Sequence, residues 1–389
     1  MNKESVLVCG TGIAGLATAL GLAKGGFDVS LLGPRAIPAP AGDVYCPRVY
    51  AISSTSQAFL ARLGVWSMMD AQRITPVESM EVYGDGGGTL SLHAWQAAQE
   101  TLAWIVESSE MERSLQQAVR VFGITWHQEK FQALESRTAI SDTGRALHAD
   151  LLVGADGAQS PVRAAAGISH QSQPYGDTGV VVHLSAQLPH QNIALQWFTG
   201  DSILALLPLP DTAQGHQVSM VWSMPHAMAA ELLAMPPAEQ SRTLEARLAA
   251  TTDGRLGRLQ VLTPLFGFPL FLEHSGMVAP GVALVSDAAH RVHPLAGQGL
   301  NLGLGDVEEL LRILRDKEPY RRAGDLRVLH RYRRARAEPI MAMRLATHGL
   351  HRLFAAQATP LVWARNIGMQ YVDRVPFVKR FLIGGASGQ

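Results

Sequence analysis

The chain has 389 residues, 33 Lys and Arg against 33 Asp and Glu, 47% hydrophobic and 17% charged residues. That balance excludes disordered and collagen-like classes and leaves enough apolar surface for about two cores. Cys9 and Cys46 are the only cysteines, which excludes a disulfide scaffold. With no signal-peptide pattern, the expected location is cytoplasmic.

Residues 6–9 read as an apolar strand too short to cross a membrane. Gly10-Thr11-Gly12-Ile13-Ala14-Gly15 follows, then a helix over residues 14–24 closed by Gly25-Gly26, then a second strand over 28–32. Glycines at this spacing let backbone approach a pyrophosphate, while the helix start at Ala14 supplies free N–H groups and a favourable dipole. The acid expected at the end of the second strand is missing: Gly33 stands there, followed by Pro34 and Arg35. The ribose of an adenosine is therefore expected to be held by backbone or by Arg35. Cys9 reads as a buried thiol.

A Pro/Ala-rich loop covers 34–42, and a helix is expected over 54–63, ending at Gly64. Residues 82–92 read as a hairpin around Gly86-Gly87-Gly88, and 110–121 as an amphipathic helix. Short strands and turns over 124–153 lead to Gly154-Ala155-Asp156-Gly157, where Asp156 either caps its turn or lies beside a bound diphosphate. Residues 179–271 are β-rich, with one helical insertion expected over 225–251.

A strand at 282–285 then runs into Ser286-Asp287-Ala288-Ala289-His290, followed by His293-Pro294-Leu295-Ala296-Gly297-Gln298-Gly299-Leu300-Asn301. Asp287 is placed to accept hydrogen bonds from ribityl hydroxyls or to order groups around a pyrophosphate. The glycine turn aims a helix start at an isoalloxazine, where its dipole stabilises charge on a reduced flavin. Two such devices at opposite ends of one chain mark a flavoprotein. His290-x-x-His293 and His348-x-x-His351 have metal-compatible spacing without supporting Cys or carboxylates, so no metal site is expected. From Arg312 onward sixteen Lys and Arg face five Asp and Glu, a local charge of +11. This basic tail, with Arg333, Arg334 and Arg336 at its centre, reads either as a solvated helical surface or as a dock for anionic lipid or an acidic partner protein. Nucleic acid is not expected, for want of a reader motif.

Together these segments resemble the class A flavin-dependent aromatic hydroxylases, the group that includes para-hydroxybenzoate hydroxylase, and within it the ubiquinone-biosynthesis branch. Arg48-Val49-Tyr50-Ala51-Ile52-Ser53 resembles that branch's Arg-x-Tyr-Ala-Leu-Ser segment. Leu206-Leu207-Pro208-Leu209 and Val218-Ser219-Met220-Val221-Trp222 resemble its sheet domain, and Pro376-Phe377-Val378-Lys379-Arg380-Phe381-Leu382 its terminal helix. Gly33 and Ser286, the latter where a glycine is usual, depart from the pattern.

The resemblance implies an α/β fold: a Rossmann-like FAD-binding domain (1–73, 100–172 and 275–330), an inserted β-sheet substrate domain (74–99 and 173–274) and C-terminal helices (331–389). It implies FAD, with NAD(P)H or another electron donor, and a cofactor-binding set of Gly10, Gly12, Ala14, Gly15, Arg35, Arg48, Asp156, Asp287, Gly299, Leu300 and Asn301. Pro294, Gly297, Gln298 and Gly299 would line the flavin edge. O2 would add at the flavin C4a, and the hydroperoxide would deliver oxygen to the ring of a polyprenylated phenol in ubiquinone biosynthesis. The basic C-terminal helices would contact the inner membrane peripherally or meet other quinone-biosynthesis proteins. The residue that activates the phenol is not identified. Other readings are a hydroxylase of a small soluble aromatic, a colourless NAD-dependent dehydrogenase, and a non-catalytic flavin-fold scaffold in a biosynthetic complex.

Overall fold

Strand β1 (Ser5–Cys9), helix α1 (Ile13–Lys24) and strand β2 (Asp28–Leu32) form a βαβ unit, with β1 and β2 parallel from Ser5↔Asp28 to Cys9↔Leu32. The computed structural model describes residues 3–35, 46–293 and 298–355. Pro294, Gly297, most of the Pro/Ala-rich loop and the 376–382 segment lie outside the described residues. Val6, Leu7, Val8 and Cys9 are all buried, as a central parallel strand covered on both faces requires. Burial, reinforced by Asp156, pushes the Cys9 thiol well above its ordinary range.

β3 (Val49–Ser53) runs directly into α2 (Ser54–Arg62), and the Ser53 hydroxyl caps that helix by accepting from Ser56 N. Next come β4 (Ile74–Val77), the hairpin β5 (Ser79–Tyr83) and β6 (Thr89–His93), β7 (Ala103–Glu107) and α3 (Ser108–Val121). Strands β3, β7 and β4 make a small antiparallel sheet. β8 (Thr125–His127) joins β2, and β9 (Phe131–Glu135), β10 (Thr138–Ser141) and β11 (Ala146–His148) form a meander. β12 (Leu151–Gly154) lies parallel to β1 on its other side, and α4 (Pro161–Ala165) follows.

The chain then builds a nine-stranded sheet from β13 (His170–Ala186), β14 (Ile193–Phe198), β15 (Ile203–Thr212), β16 (Gly215–Pro225), β17 (Leu259–Val261) and β18 (Phe266–Ser275), together with β5, β6 and one short strand from later in the chain. The single helical insertion expected over 225–251 is in fact two helices, α5 (His226–Ala234) and α6 (Pro237–Thr252). Pro236 and Pro237 have no N–H to donate, so α5 cannot continue through them, whereas Pro237 suits the first turn of a new helix.

β19 (Val278–Ala279) and β20 (Val282–Leu284) return to the first sheet, whose order is β19-β20-β12-β1-β2-β8. After β20 the sequence pattern leads through the Asp287 segment and a glycine-rich turn to a helix, with no element expected between. The structure starts that helix at Gly299 and adds, before it, one 3-10 turn at Ser286–Ala288 and a short strand, β21 (His290–Arg291), which pairs with β18 of the large sheet. Two helices close the described chain, α7 (Gly299–Arg315) and α8 (Leu326–Ala355).

Ser286 sits at φ +57°, a left-handed conformation that an L side chain adopts at a cost. It fits only because α7 presents Gly303, where a Cβ would collide with Ser286 Oγ. Ser286→Gly should therefore raise unfolding stability by about 0.5–1 kcal/mol, the relieved strain less the extra glycine entropy. Gly303→Ala should lower it by about 1–3 kcal/mol through overpacking. Urea unfolding of the two variants checks both signs.

Candidate active site

A cavity of about 780 Å³ lies beyond the carboxyl ends of β1 and β12 and reaches across to the large sheet. Ligands of open parallel sheets bind in that crevice. At Gly10, φ is +111° and a Cβ would collide with the Ala155 carbonyl, so the first turn and the turn after β12 pack backbone on backbone. Gly12 has the opposite surroundings: nothing stands within 4 Å of its Cβ position, and Gly12, Ile13 and Ala14 line the cavity. Leu16 N–H donates to Gly12 O at 2.9 Å, so the N–H groups just before it open the helix without intrahelical acceptors.

The missing acid at position 33 has a steric reason. Gly33 adopts φ +152°, and a Cβ there would lie 2.9 Å from Thr11 Cγ2. Trp126 Nε1 donates to Gly33 O at 2.9 Å, and Arg35 lies over the Trp126 ring, 4.9 Å from its centroid. Arg35 is exposed and does not line the cavity.

Asp287 does line it, and its carboxylate makes no hydrogen bond or ion pair with another described residue. Arg48, Tyr50 and Glu112 line the same cavity, with the Arg48 guanidinium 5.2 Å from the Tyr50 ring centroid. Burial pushes the Tyr50 hydroxyl up to about 12; Arg48 opposes this, and Asp287 and Glu112 add to it. Burial also raises the Glu112 carboxyl, against the pull of Arg48. Glu112 was not singled out from sequence: the amphipathic pattern of α3 reveals a buried face, not which polar residue at its margin meets a cavity.

Gly299 and Leu300, at the start of α7, form another part of the wall, with open space around the Cβ position of Gly299. Gln298 caps that helix, and Leu302 N–H donates to its carbonyl at 3.0 Å. Asn301 stands behind the wall: its Nδ2 donates to Ala51 O at 2.8 Å and its Oδ1 accepts from Ser53 N at 3.0 Å, clamping α7 to β3. Asp156 likewise turns away, accepting from Val162 N at 3.0 Å at the start of α4, while Ala155 and Gly157 face the cavity. Burial raises the Asp156 carboxyl against these hydrogen bonds.

The large sheet supplies the opposite wall by its period of two. Gln196, Ala205, Val221 and Val181 stand side by side across β14, β15, β16 and β13 and all face the cavity. Their neighbours along each strand, such as Trp197, Leu204 and Trp222, pack with Leu232 of α5 and Leu244 of α6 in a separate core. Phe266 and Phe268 of β18 extend the apolar wall to the surface. Ser223 and His293 add polar groups that the sequence did not single out together, because seventy residues separate them.

Asp306 of α7 holds these walls in place. It is fully buried, and it accepts from His290 Nε2 at 2.6 Å, Ser286 N at 2.9 Å and Arg336 Nε at 2.7 Å. Arg336, grouped by sequence with the basic surface, is thus an interior residue of α8, and it also donates to Leu302 O at 2.9 Å. A guanidinium can be buried there only because a carboxylate and a carbonyl receive it.

The family model described as FAD binding domain matches residues 3–346, and the chain belongs to that family. It is an FAD-dependent monooxygenase with the mixed α/β fold of flavin monooxygenases. The chain is 33% identical to 3-demethoxyubiquinol 3-hydroxylase of Escherichia coli, over 100% of this chain and 99% of that protein. It is 31% identical to ubiquinone hydroxylase UbiL of Rhodospirillum rubrum, over 98% of this chain and 89% of that protein. Among solved structures, p-nitrophenol 4-monooxygenase PnpA of Pseudomonas putida shares the fold, with a TM-score of 0.76 at 18% identity, covering 98% of this chain and 96% of that one.

Burial alone would raise the Asp306 carboxyl, but His290 and Arg336 together hold it below its ordinary value. A depressed carboxyl stabilises the fold fully above its unfolded value near about 3.9 and loses that contribution as pH falls through the lower folded value. Asp306→Asn should cost about 3–5 kcal/mol near neutrality by stranding buried charge. Between about pH 5 and pH 3 the variant should lose less additional stability than the parent in urea unfolding, because this group no longer titrates.

Proposed function

We propose that the protein hydroxylates the aromatic ring of a polyprenylated phenol in ubiquinone biosynthesis, with FAD as its cofactor and NAD(P)H or another donor as the source of electrons. The observation that carries this reading is one cavity, which joins two helix starts and a carboxylate without a partner among the described residues at one end to an apolar sheet wall at the other. The names of the relatives, a ubiquinone hydroxylase and a demethoxyubiquinol hydroxylase, favour the substrate class.

The residues suit FAD. Backbone of Gly10 to Gly15 and the start of α1 would receive the pyrophosphate, with Gly12 leaving room for its oxygens. Asp287, which lines the cavity with no partner among the described residues, would accept from ribityl hydroxyls. Gly299 and Leu300 would turn the α7 dipole toward the isoalloxazine, and Arg48 would stand beside it. Arg35, Asp156 and Asn301 would act at one remove, by holding the walls. Bound and reduced, FAD supplies the activation of O2. The chain's part is to position the ring against that edge and keep water out, which the apolar face of the large sheet suits.

In this reading the cofactor domain comprises 1–73, 100–172 and 275–330, the substrate domain 74–99 and 173–274, and the remainder docks at a membrane. No helix among the described residues is long and apolar enough to cross a bilayer. On α8, however, exposed Arg333 and Arg334 precede exposed Met341 and Leu345 at helical spacing, a face whose cations and apolar side chains suit anionic lipid although exposed Glu338 stands among them. Arg333→Glu with Arg334→Glu should reduce co-sedimentation with anionic vesicles. Binding equal to that of the parent protein would favour a solvated face.

Asp287→Ala should weaken FAD binding roughly ten- to hundredfold, the worth of one or two hydrogen bonds to a charged acceptor. Flavin absorbance in equilibrium dialysis measures this. The substrate class is tested by supplying 18O2, a donor and a prenylated phenol and weighing the product. A gain of one labelled oxygen on the ring is expected. Labelling only of short, soluble phenols would transfer the reading to a small-aromatic hydroxylase.

A further inference from the structure

The sheet wall of the cavity is apolar apart from a few side chains, and two of these meet. Ser223 Oγ on β16 lies 3.2 Å from His293 Nε2, and both residues are buried to within 5% exposure while still lining the cavity. Both the imidazole and the backbone that leads to it are held in place. Tyr175 packs edge-on against it, with centroids 4.9 Å apart and planes at 86°. β21, which it follows, is fixed to β18 by His274↔His290 and Glu273↔Arg291, and His290 is in turn anchored on Asp306. Ser223 lies in the centre of the sheet, opposite Ile203 on one side and Gly179 on the other. A hydroxyl–imidazole pair in a dry core is usually a structural hydrogen bond. This pair instead opens on the space between the apolar sheet wall and the cofactor end, a few residues ahead of Gly299.

We propose that Ser223 and His293 form the site that receives the substrate's phenol hydroxyl and takes its proton; this rests on the hydroxylase reading and adds its missing acid–base group. The phenol O–H donates to Ser223 Oγ, and the Ser223 O–H donates to Nε2 of His293 in its Nδ1–H tautomer. As the ring reacts, the phenol O–H bond breaks, Ser223 passes one proton on and regains one, and an N–H bond forms on His293. The ring gains the electron density that an electrophilic oxygen requires, and the imidazolium beside it balances the charge. A phenol titrates near about 10 and an imidazole near about 6.5, so full transfer before reaction is uphill. For such a phenol the pair works as a general base in the transition state, a role worth roughly 10²–10⁴-fold in rate, whereas a phenol about as acidic as imidazole gives up its proton on binding.

The test uses the FAD-loaded protein and 4-nitrophenol, a phenol acidic enough for its ionised fraction to be read by colour. At one pH below its own midpoint in water, binding to the parent protein should increase the phenolate band. Ser223→Ala, which removes one oxygen atom, should bind the probe without that increase and should lower kcat for hydroxylation roughly 10²-fold. His293→Gln should do the same, with the flavin spectrum retained in both. A parent protein that leaves the probe un-ionised would overturn the proposal, as would a Ser223→Ala variant that ionises it and turns over like the parent. Absence of any hydroxylated product from the parent defeats the hydroxylase reading instead, and the probe colour then still decides the Ser223–His293 pair.

Discussion

The carboxylate of Asp306 is the constraint on which the rest of the site depends. It is fully buried among three donors from different parts of the chain: backbone at Ser286, the His290 imidazole and the Arg336 guanidinium. Removing a charge from water costs several kcal/mol, so the arrangement persists only while every partner is in place. The geometry that results has one purpose in common. It fixes the turn bearing Asp287 against α7, brings β21 to the large sheet and docks α8 on the back of α7. The two walls of the cavity belong to different sheets, and this node is where they are tied.

The cofactor end follows from backbone geometry more than from side chains. Gly10 exists to let one turn touch another, Gly12 to leave a gap, and Gly33 because Thr11 occupies the space a side chain would need. The last of these explains a departure that sequence could only register. Where an acid is expected, the structure places close packing of Thr11, Gly33 and Trp126, with Arg35 stacked on the Trp126 ring. The substrate end follows from strand alternation. One face of the nine-stranded sheet covers α5 and α6, so the other is left apolar and free to line a cavity.

Local signals carried much of this into the sequence. The strand–glycine–helix start, the Asp287 turn and the β-rich middle are each written within a dozen or so residues, where period and turn chemistry act directly. What was not legible depends on partners distant in sequence. Arg336 looks like one more basic surface residue until Asp306, thirty positions earlier, is found facing it. Asn301 and Asp156 carry polar groups at cofactor-like positions, yet their hydrogen bonds go to β3 and α4. Ser223 and His293 have no local pattern at all, because their meeting is a product of how β21 joins β18. Pro236 and Pro237 stand in the sequence itself, and the break they impose divides the expected helix into α5 and α6.

The proposed flavin site is the cavity framed by α1, Asp287 and α7, with Gly33 in place of the expected acid. The most direct measurement is a titration of the purified protein with FAD, followed by its visible absorption and by quenching of flavin fluorescence. The account predicts oxidised-flavin bands that saturate at one FAD per chain. Protein that stays colourless through the titration, with free-flavin fluorescence unchanged, would contradict it.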